Sequence, residues 1–524
     1  TVTDRNNEPL TGATVVVEGS TSQGAVTDID GNYTLAGVSS KASLEFSYVG
    51  MKVQKIAVNG QTTINVTLEE DSEVLGEVVV TALGMKRSQK ALGYAMKEIK
   101  GDELNTTLIN PVSALQGKVA GVEISGSDGG LFGSSKILIR GVSTLGKNNQ
   151  PIYVVDGVIL NNDIKEGNPD WDSNSGDYGN ELKNLNPEDF ETVSVLKGAA
   201  ATALYGSRGM NGAIVITTKS GKSSKGLGIQ FTQTLGADIV TSSPRLQSEF
   251  GNGTIAGYVG YGEKDASGNY YAFDSEHQFP RNTTKNNIPS LIPDQGLAWG
   301  PAFDGSQIEY YDGTMIPYRG ISNRYKKAYQ PGFNTNTNLA ITGGNEKTTF
   351  YTSLSYKYAD GIVPNNNFQR LSFMGKGSHK ITDKIELEAG ITFANSQPKN
   401  SPINIGENFV NGTWGASYDP TELKDKYKGE HGGLAESKYG DQYGVYPGRA
   451  TWWNIYENNY MRKETSVRPS VKLNIDLTDW LRFNMEGSYN YYYVRAERKN
   501  PGSNYANEGG EYAIEQSVRE QTNL

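Results

Sequence analysis

Residues 481–494 read LRFNMEGSYNYYYV, and two registers separate within them. Leu481, Phe483, Met485, Tyr489, Tyr491 and Tyr493 occupy one; Arg482, Asn484, Glu486, Ser488 and Asn490 occupy the other. Side chains on a strand alternate between its two faces, so the segment predicts a strand with one apolar, aromatic face and one polar face. VKLNIDL (471–477), IELEAGITF (385–393), FYTSLSY (350–356) and IQFTQTL (229–235) alternate in the same way. Strands of a soluble sandwich alternate too, so the period leaves two folds open.

The connections separate them. The first of these strands is followed by a gap over 240–333, and the next two are joined by the short turn GGNEK (343–347). A loop near 359–366, the turn ITDK (381–384), a gap over 397–464 and the turn LTDW (477–480) follow. Long and short connections alternate, which places every long loop at one end of the sheet. An outer-membrane barrel has this layout, with short periplasmic turns and long extracellular loops. Trp480 beside a short turn, and Tyr491 to Tyr493 at the far end of their strand, fit aromatic girdles at the two interfaces. About eight strands are readable, and a barrel of that number closes around side chains alone. A larger barrel is therefore expected, of which residues 225–524 form the N-terminal part and do not close by themselves.

Composition agrees. The 524 residues include 62 Gly and 31 Tyr, the mean hydropathy is −0.53, and no stretch approaches the roughly 18 apolar residues of a spanning helix. The formal charge is −9 and the pI about 5.2, which argues against a nucleic-acid partner. With no Cys there is no disulfide, thiolate metal site or thiol nucleophile. The opening TVTDRNNEPL lacks the charged and apolar regions of a leader, so a signal peptide has been removed or the sequence starts late. His277, His379 and His431 are scattered without metal-ligand spacing. SGKSS near Lys222 fails as a phosphate-binding loop because Ile216 stands where the motif needs Gly. No enzyme is expected.

Ahead of the barrel, residues 1–70 predict an all-β, Ig-like sandwich, with GATVVVEGS, GNYTLAGV, ASLEFSYVG and TTINVTLEE as strands between Gly-, Asn- and Asp-bearing turns. Residues 71–90 are a linker, acidic before and basic after GEVVVTALG (76–84). Residues 91–222 are mixed α+β, with a short helix after Pro111, a helix in AAATALYGS (199–207), and buried strands in KILIRGV, PIYVVDGVIL, ETVSVLKG and GAIVITTKSG.

These segments resemble a known family. PLTGATVVVEGSTSQGAVTDIDGNYTL, EVVVTALG, ALQGKVAGVEISG, ILIRGVSTLGKNNQPIYVVDGV and the run from Leu185 to Gly221 closely resemble SusC-like TonB-dependent outer-membrane transporters of the SusC/RagA type. The match is dense over residues 1–222; Met210 stands where the family usually has a smaller residue. The resemblance implies a periplasmic carboxypeptidase-regulatory-like domain, a TonB box, and a plug within a barrel of about 22 strands. It further implies a SusD-like lipoprotein capping the extracellular face, contact with outer-membrane lipid, and a dimer of transporter–lipoprotein pairs. The expected function is TonB-dependent import of oligosaccharides, with oligopeptides as the alternative. An adhesin is a rival of another class, needing neither plug nor TonB box, and a passive plugged porin is a third.

On this reading Glu77, Val78, Val79, Val80, Thr81, Ala82, Leu83 and Gly84 form the TonB box, an extended segment that adds as an edge strand to the periplasmic domain of TonB. Trp171, Tyr178, Trp299, Trp414, Trp452 and Trp453 are candidates for stacking on substrate, since such rings suit half-apolar, half-wet sites. Arg140 and Arg208 lie in plug segments that read as buried, so paired carboxylates are expected there. In DWDSNSGDYGNE (170–181), Asp170, Asp172, Asn174 and Glu181 occupy positions 1, 3, 5 and 12 of a calcium loop, but Gly falls at 7 rather than 6. A solvated acidic loop is the favoured reading and a structural Ca²⁺ the other. No cofactor is required.

Overall fold

The structure is a computed structural model that describes residues 1–4, 8–18, 23–48, 51–69, 78–80, 86–88, 96–104, 108–126, 130–142, 149–160, 177–223, 226–251, 281–282, 288–289, 302–309, 314–401, 404–410, 414–429, 432–434, 447–478, 480–502 and 510–523. It divides into two compact units, residues 1–94 and 95–524.

The first unit holds an antiparallel sheet ordered Gly24–Val26, Thr14–Val17, Ser43–Ser47, Gln54–Ala57, while Val2–Thr3 pairs parallel with Val66–Thr67. Val15, Val17, Leu44 and Phe46 bury one face of the sheet, with Val2 and Leu68 closing the core. Residues 31–38, expected as a strand, are irregular. The Asp28 carboxylate accepts the backbone N–H of Asp30 at 3.0 Å and of Asn32 at 2.8 Å, and Gly31 takes φ +71°. That local alternative outcompetes ladder pairing, yet Tyr33, Leu35 and Val38 still pack on the core.

In the second unit the plug is a five-stranded mixed sheet ordered Val158–Leu160, Ile152–Val155, Ala213–Thr218, Phe190–Leu196, Met96–Lys100. Ile152–Val155 runs parallel to Ala213–Thr218. The central strand is buried on both faces, as its continuous run Ala213, Ile214, Val215, Ile216 demands. Asn110 caps the 3-10 turn Pro111–Leu115 by accepting the Val112 N–H, and the helix Ala199–Tyr205 falls where its sequence predicts.

Eight antiparallel barrel strands follow in chain order: Gly228–Asp238, Gly332–Gly344, Thr348–Asp360, Asn367–Thr382, Ile385–Lys399, Asn459–Asp476, Arg482–Asn500 and Glu511–Asn523. The first and last are the sheet's two edges and do not pair with each other. The turns at 345–347, 383–384 and 477–481 lie at one end, and the connections 239–331, 361–366, 400–458 and 501–510 at the other.

The polarity of the sheet is inverted relative to a soluble domain. Asn334, Asn336, Asn338, Ser353, Ser355 and Arg370 are buried on the concave face. Phe231, Leu354, Phe373, Ile391, Phe483 and Met485 are exposed on the convex face. Only a surface bathed in hydrocarbon accommodates such an apolar belt. One girdle expectation needs correction: Tyr492 points inward and donates its hydroxyl to Glu464 at 2.7 Å, leaving Tyr491 and Tyr493 in the outward register.

Met485 is 58% exposed, whereas Ser488 is buried against the plug side. Met485→Arg is therefore expected to cost about 2–4 kcal/mol if the residue lies near the bilayer midplane. Lipid-soluble quenchers should reach a label at 485 and not at 486. The reverse pattern would mean the register is displaced by one residue.

Candidate functional site

The plug meets the barrel wall through polar groups. The 3-10 turn Glu181–Asn184, capped by Asn180 accepting from the Leu182 N–H, presents three side chains to the wall. Lys183 Nζ lies 2.9 Å from Glu464 Oε1, with both side chains essentially inaccessible. Arg462 approaches the same oxygen at 2.7 Å, while Asn184 and Tyr492 donate to the other at 3.2 and 2.7 Å. Glu181 accepts from Asn490 at 3.4 Å and pairs with Arg519 at 3.3 Å. The Arg370 guanidinium, fully buried, donates to the carbonyls of Lys183 and Leu185. One turn later, Asp189 accepts from Tyr351, Ser353 and Asn186. Burial pushes the Lys183 ammonium below the ordinary lysine range, against the pull of the Glu464 carboxylate, and raises the Glu181 and Asp189 carboxyls.

At the end bearing the long connections, a cavity of about 510 Å³ opens between plug and wall. Leu108, Ile109 and Leu131 of the plug face Ile362, Val363 and Ile405 of the outer loops across it. Asp238, Asn334, Asn366 and Asn404 supply polar edges, and Tyr329 the aromatic one. Ile109, Leu131 and Ala359 of the lining belong to a cluster in which Phe132 stacks on Tyr178 with ring centroids 5.6 Å apart and Tyr178 lies 4.4 Å from Tyr460. Gly179 makes this possible: at φ +71°, a Cβ there would stand 2.2 Å from the Phe132 carbonyl oxygen.

The aromatic candidates fall elsewhere. Trp414 and Trp452 are completely buried, stacked 5.5 Å apart in the core of the outer loops with Tyr418, Phe409 and Leu423. Trp453 is also buried, with Tyr427 edge-on to it. Tyr178 is buried in its cluster with Phe132. These four rings are framework, corrected from their expected role because each has its faces covered by neighbouring side chains. Trp171 and Trp299 lie outside the described residues.

Arg140 and Arg208, read as buried, are both exposed within this chain. Arg140 follows its strand in the left-handed region at φ 62°, and Arg208 sits in the 3-10 turn after the plug helix. Buried cations among the described residues include Lys183, Lys357 and Arg370, with Arg462 half-buried beside Glu464. A charged residue in the inward register of a barrel strand, such as Glu464, was a legible signal for them; its partner was not.

Of the calcium-loop set, Asp170, Asp172 and Asn174 lie outside the described residues, and Glu181 is engaged by the barrel. No cluster of potential metal ligands occurs among the described residues. Of the TonB box, Val78–Val80 forms a strand paired antiparallel with Lys86–Ser88, Val79 opposite Arg87. Glu77 and Thr81 to Gly84 lie outside the described residues.

Known proteins share this organisation. Residues 1–80 match the CarboxypepD_reg-like domain and residues 88–213 the TonB-dependent receptor plug domain. The TonB-dependent receptor SusC of Bacteroides thetaiotaomicron is 30% identical over 71% of this chain and 31% of its own length. The TonB-dependent receptor P26 of Formosa agariphila is 28% identical over 76% of this chain and 34% of its own. The RagAB peptide importer in its open-open state superposes with a TM-score of 0.59, at 20% identity, over 85% of this chain and 46% of that one. The chain thus spans about a third of the length of the curated relatives it matches. With its regulatory-like domain, its plug and an inverted-polarity sheet, the chain belongs to the SusC-like TonB-dependent transporters, a family of outer-membrane β-barrel proteins.

Proposed function

We propose that this chain forms the periplasmic domain, plug and first wall of an energised importer. TonB adds as a strand to residues 77–84 and pulls, and the plug leaves its seat to release a solute held at the outer cavity. The observation that carries the reading is the seam itself. Glu464, Arg370 and Asn490 hold the plug through hydrogen bonds and ion pairs, beside a smaller apolar contact in which Ile109, Phe132 and Tyr178 meet Ala359 and Phe368. Polar contacts can be exchanged for water as the plug moves, whereas a dry hydrophobic interface would have to expose its whole area.

The solute is an oligosaccharide on the sequence reading and an oligopeptide on the alternative. RagAB, which shares the fold, is named a peptide importer, and this supports the alternative. A SusD-like lipoprotein closing the extracellular face, and a dimer of such pairs, belong to the same proposal.

Uptake of a labelled nutrient by cells with and without TonB tests the reading. Uptake is expected to vanish without TonB. A passive porin would take up solute equally in both, and an adhesin would bind cells or surfaces while importing nothing in either.

A further inference from the structure

We propose that the outer cavity takes a short peptide with aliphatic side chains and a free amino terminus, rather than a glycan. The inference rests on the importer reading and deepens it. Its first support is the wall chemistry. Leu108, Ile109 and Leu131 on one side and Ile362, Val363 and Ile405 on the other leave two facing aliphatic surfaces. A sugar ring brings a hydroxyl on nearly every carbon, and each buried hydroxyl without a partner loses its hydrogen bond to water. Aliphatic side chains lose nothing of that kind and gain the burial.

The second support is the aromatic content of the described lining. Flat aromatic faces are the usual platform for an apolar sugar face. Among the described residues, Tyr329 is the single ring in the lining, and it is packed on Tyr325 at 5.3 Å with its hydroxyl directed to the Tyr325 hydroxyl. Trp414 and Trp452 are sealed inside the loop core.

The third support is the polar edge. Asn334 and Asn404 carry side-chain amides, which match peptide groups because an amide both donates and accepts, while the Asn366 amide donates to the carbonyls of Lys399 and Asn400 and the Asn404 oxygen accepts the Glu407 N–H. Among the described residues, Asp238 is the single charged residue of the lining, and it is exposed. The Asn334 amide reaches it at 3.5 Å, leaving acceptor capacity for an ammonium. A volume of about 510 Å³ lies within the range of small-ligand sites and suits a few residues rather than a long chain.

Calorimetry on the full-length transporter, purified from the outer membrane, separates the possibilities. The probes are a Val-Ala-Leu-Ile tetrapeptide, its N-acetylated form, a Ser-Gln-Asn-Ser tetrapeptide and a panel of α- and β-linked glucose, galactose and mannose oligomers. Binding of the free aliphatic peptide is expected, weakened at least tenfold by N-acetylation. Asp238→Asn should weaken the free peptide and leave the acetylated one unchanged, so that discrimination between them disappears. Because Asp238 is exposed, this variant should fold; Leu131→Asp, which charges the aliphatic wall, gives a second arm and should abolish aliphatic binding. Binding of a glycan alone, of neither class, or of peptides with no dependence on Asp238 and Leu131 overturns the inference. Deletion of residues 77–84 scores uptake of whichever probe binds. A glycan imported in a manner that depends on those residues would remove the peptide assignment and leave the importer intact, whereas a bound probe imported without them would remove the importer reading.

Discussion

Deleting residues 77–84 is expected to reduce nutrient uptake to the level of cells lacking TonB, while membrane insertion and equilibrium substrate binding stay near those of the parent protein. Val78 to Val80 already have strand geometry, and their partner is a three-residue segment of the same chain, Lys86–Ser88. A two-stranded pairing of that length has little stability of its own. Among the described residues the valine strand is paired on one edge alone, and weakly, so a partner sheet can take either edge by main-chain hydrogen bonding. β-branched valines suit the added strand because they are stiff and favour extended backbone. Removing the segment removes the site of pulling without touching the plug core, which is built from Ile99, Leu115, Phe190, Val195 and Ile214. Deletion of residues 1–70 serves as the comparison and is expected to impair uptake less, since that domain carries a core of its own. Uptake at the parental rate after deletion of 77–84 would refute the assignment. Loss of insertion or of substrate binding would show instead that the segment is structural.

The second large effect is expected at the seam. Glu464→Gln keeps the shape of the side chain and removes the anion that lies between Lys183 and Arg462. Two cations would then face each other in a space with almost no access to water. Breaking one side of a buried ion pair costs about 3–5 kcal/mol, because the remaining charge keeps its desolvation penalty without compensation. Plug amides should exchange faster and the plug should become protease-sensitive, while the barrel strands keep their protection. The triple variant Lys183→Met, Arg462→Met and Glu464→Leu should recover much of the loss, since replacing every member of a buried ion cluster by apolar groups of similar volume is often close to neutral. A single variant with parental exchange, or a triple variant no better than the single, would show that the cluster does not hold the plug.

How much of this could be read beforehand depends on the range of the interaction. The faces of strand Arg482–Asn500 were legible because side-chain direction on a strand has a period of two: Phe483 and Met485 point out, and Ser488 and Asn490 point in. The ends bearing long and short connections were legible for a similar reason, as consecutive antiparallel strands require only a count of intervening residues. The Tyr triplet shows the limit of inspecting composition without register, since Tyr492 left the girdle to bond Glu464.

The seam and the cavity were decided by tertiary structure. Lys183 and Glu464 are 281 positions apart, and no local pattern states that a plug turn will meet one particular inward residue of the sixth barrel strand. The same holds for Trp414 and Trp452. Indole composition predicts a capacity to stack, but whether the face is open to substrate depends on what the outer loops pack against it, and here they pack against each other. Arg140 was read as buried from its apolar neighbours, yet it lies just past the strand end, in the left-handed region, and is exposed within this chain. The amino-acid sequence by itself determined the elements, their faces and their connectivity, because these follow from periodicity and steric preference within a few residues. Which charges neutralise one another, and which surfaces remain to receive a ligand, depend on distances between segments far apart in the chain, and only the folded arrangement sets those distances.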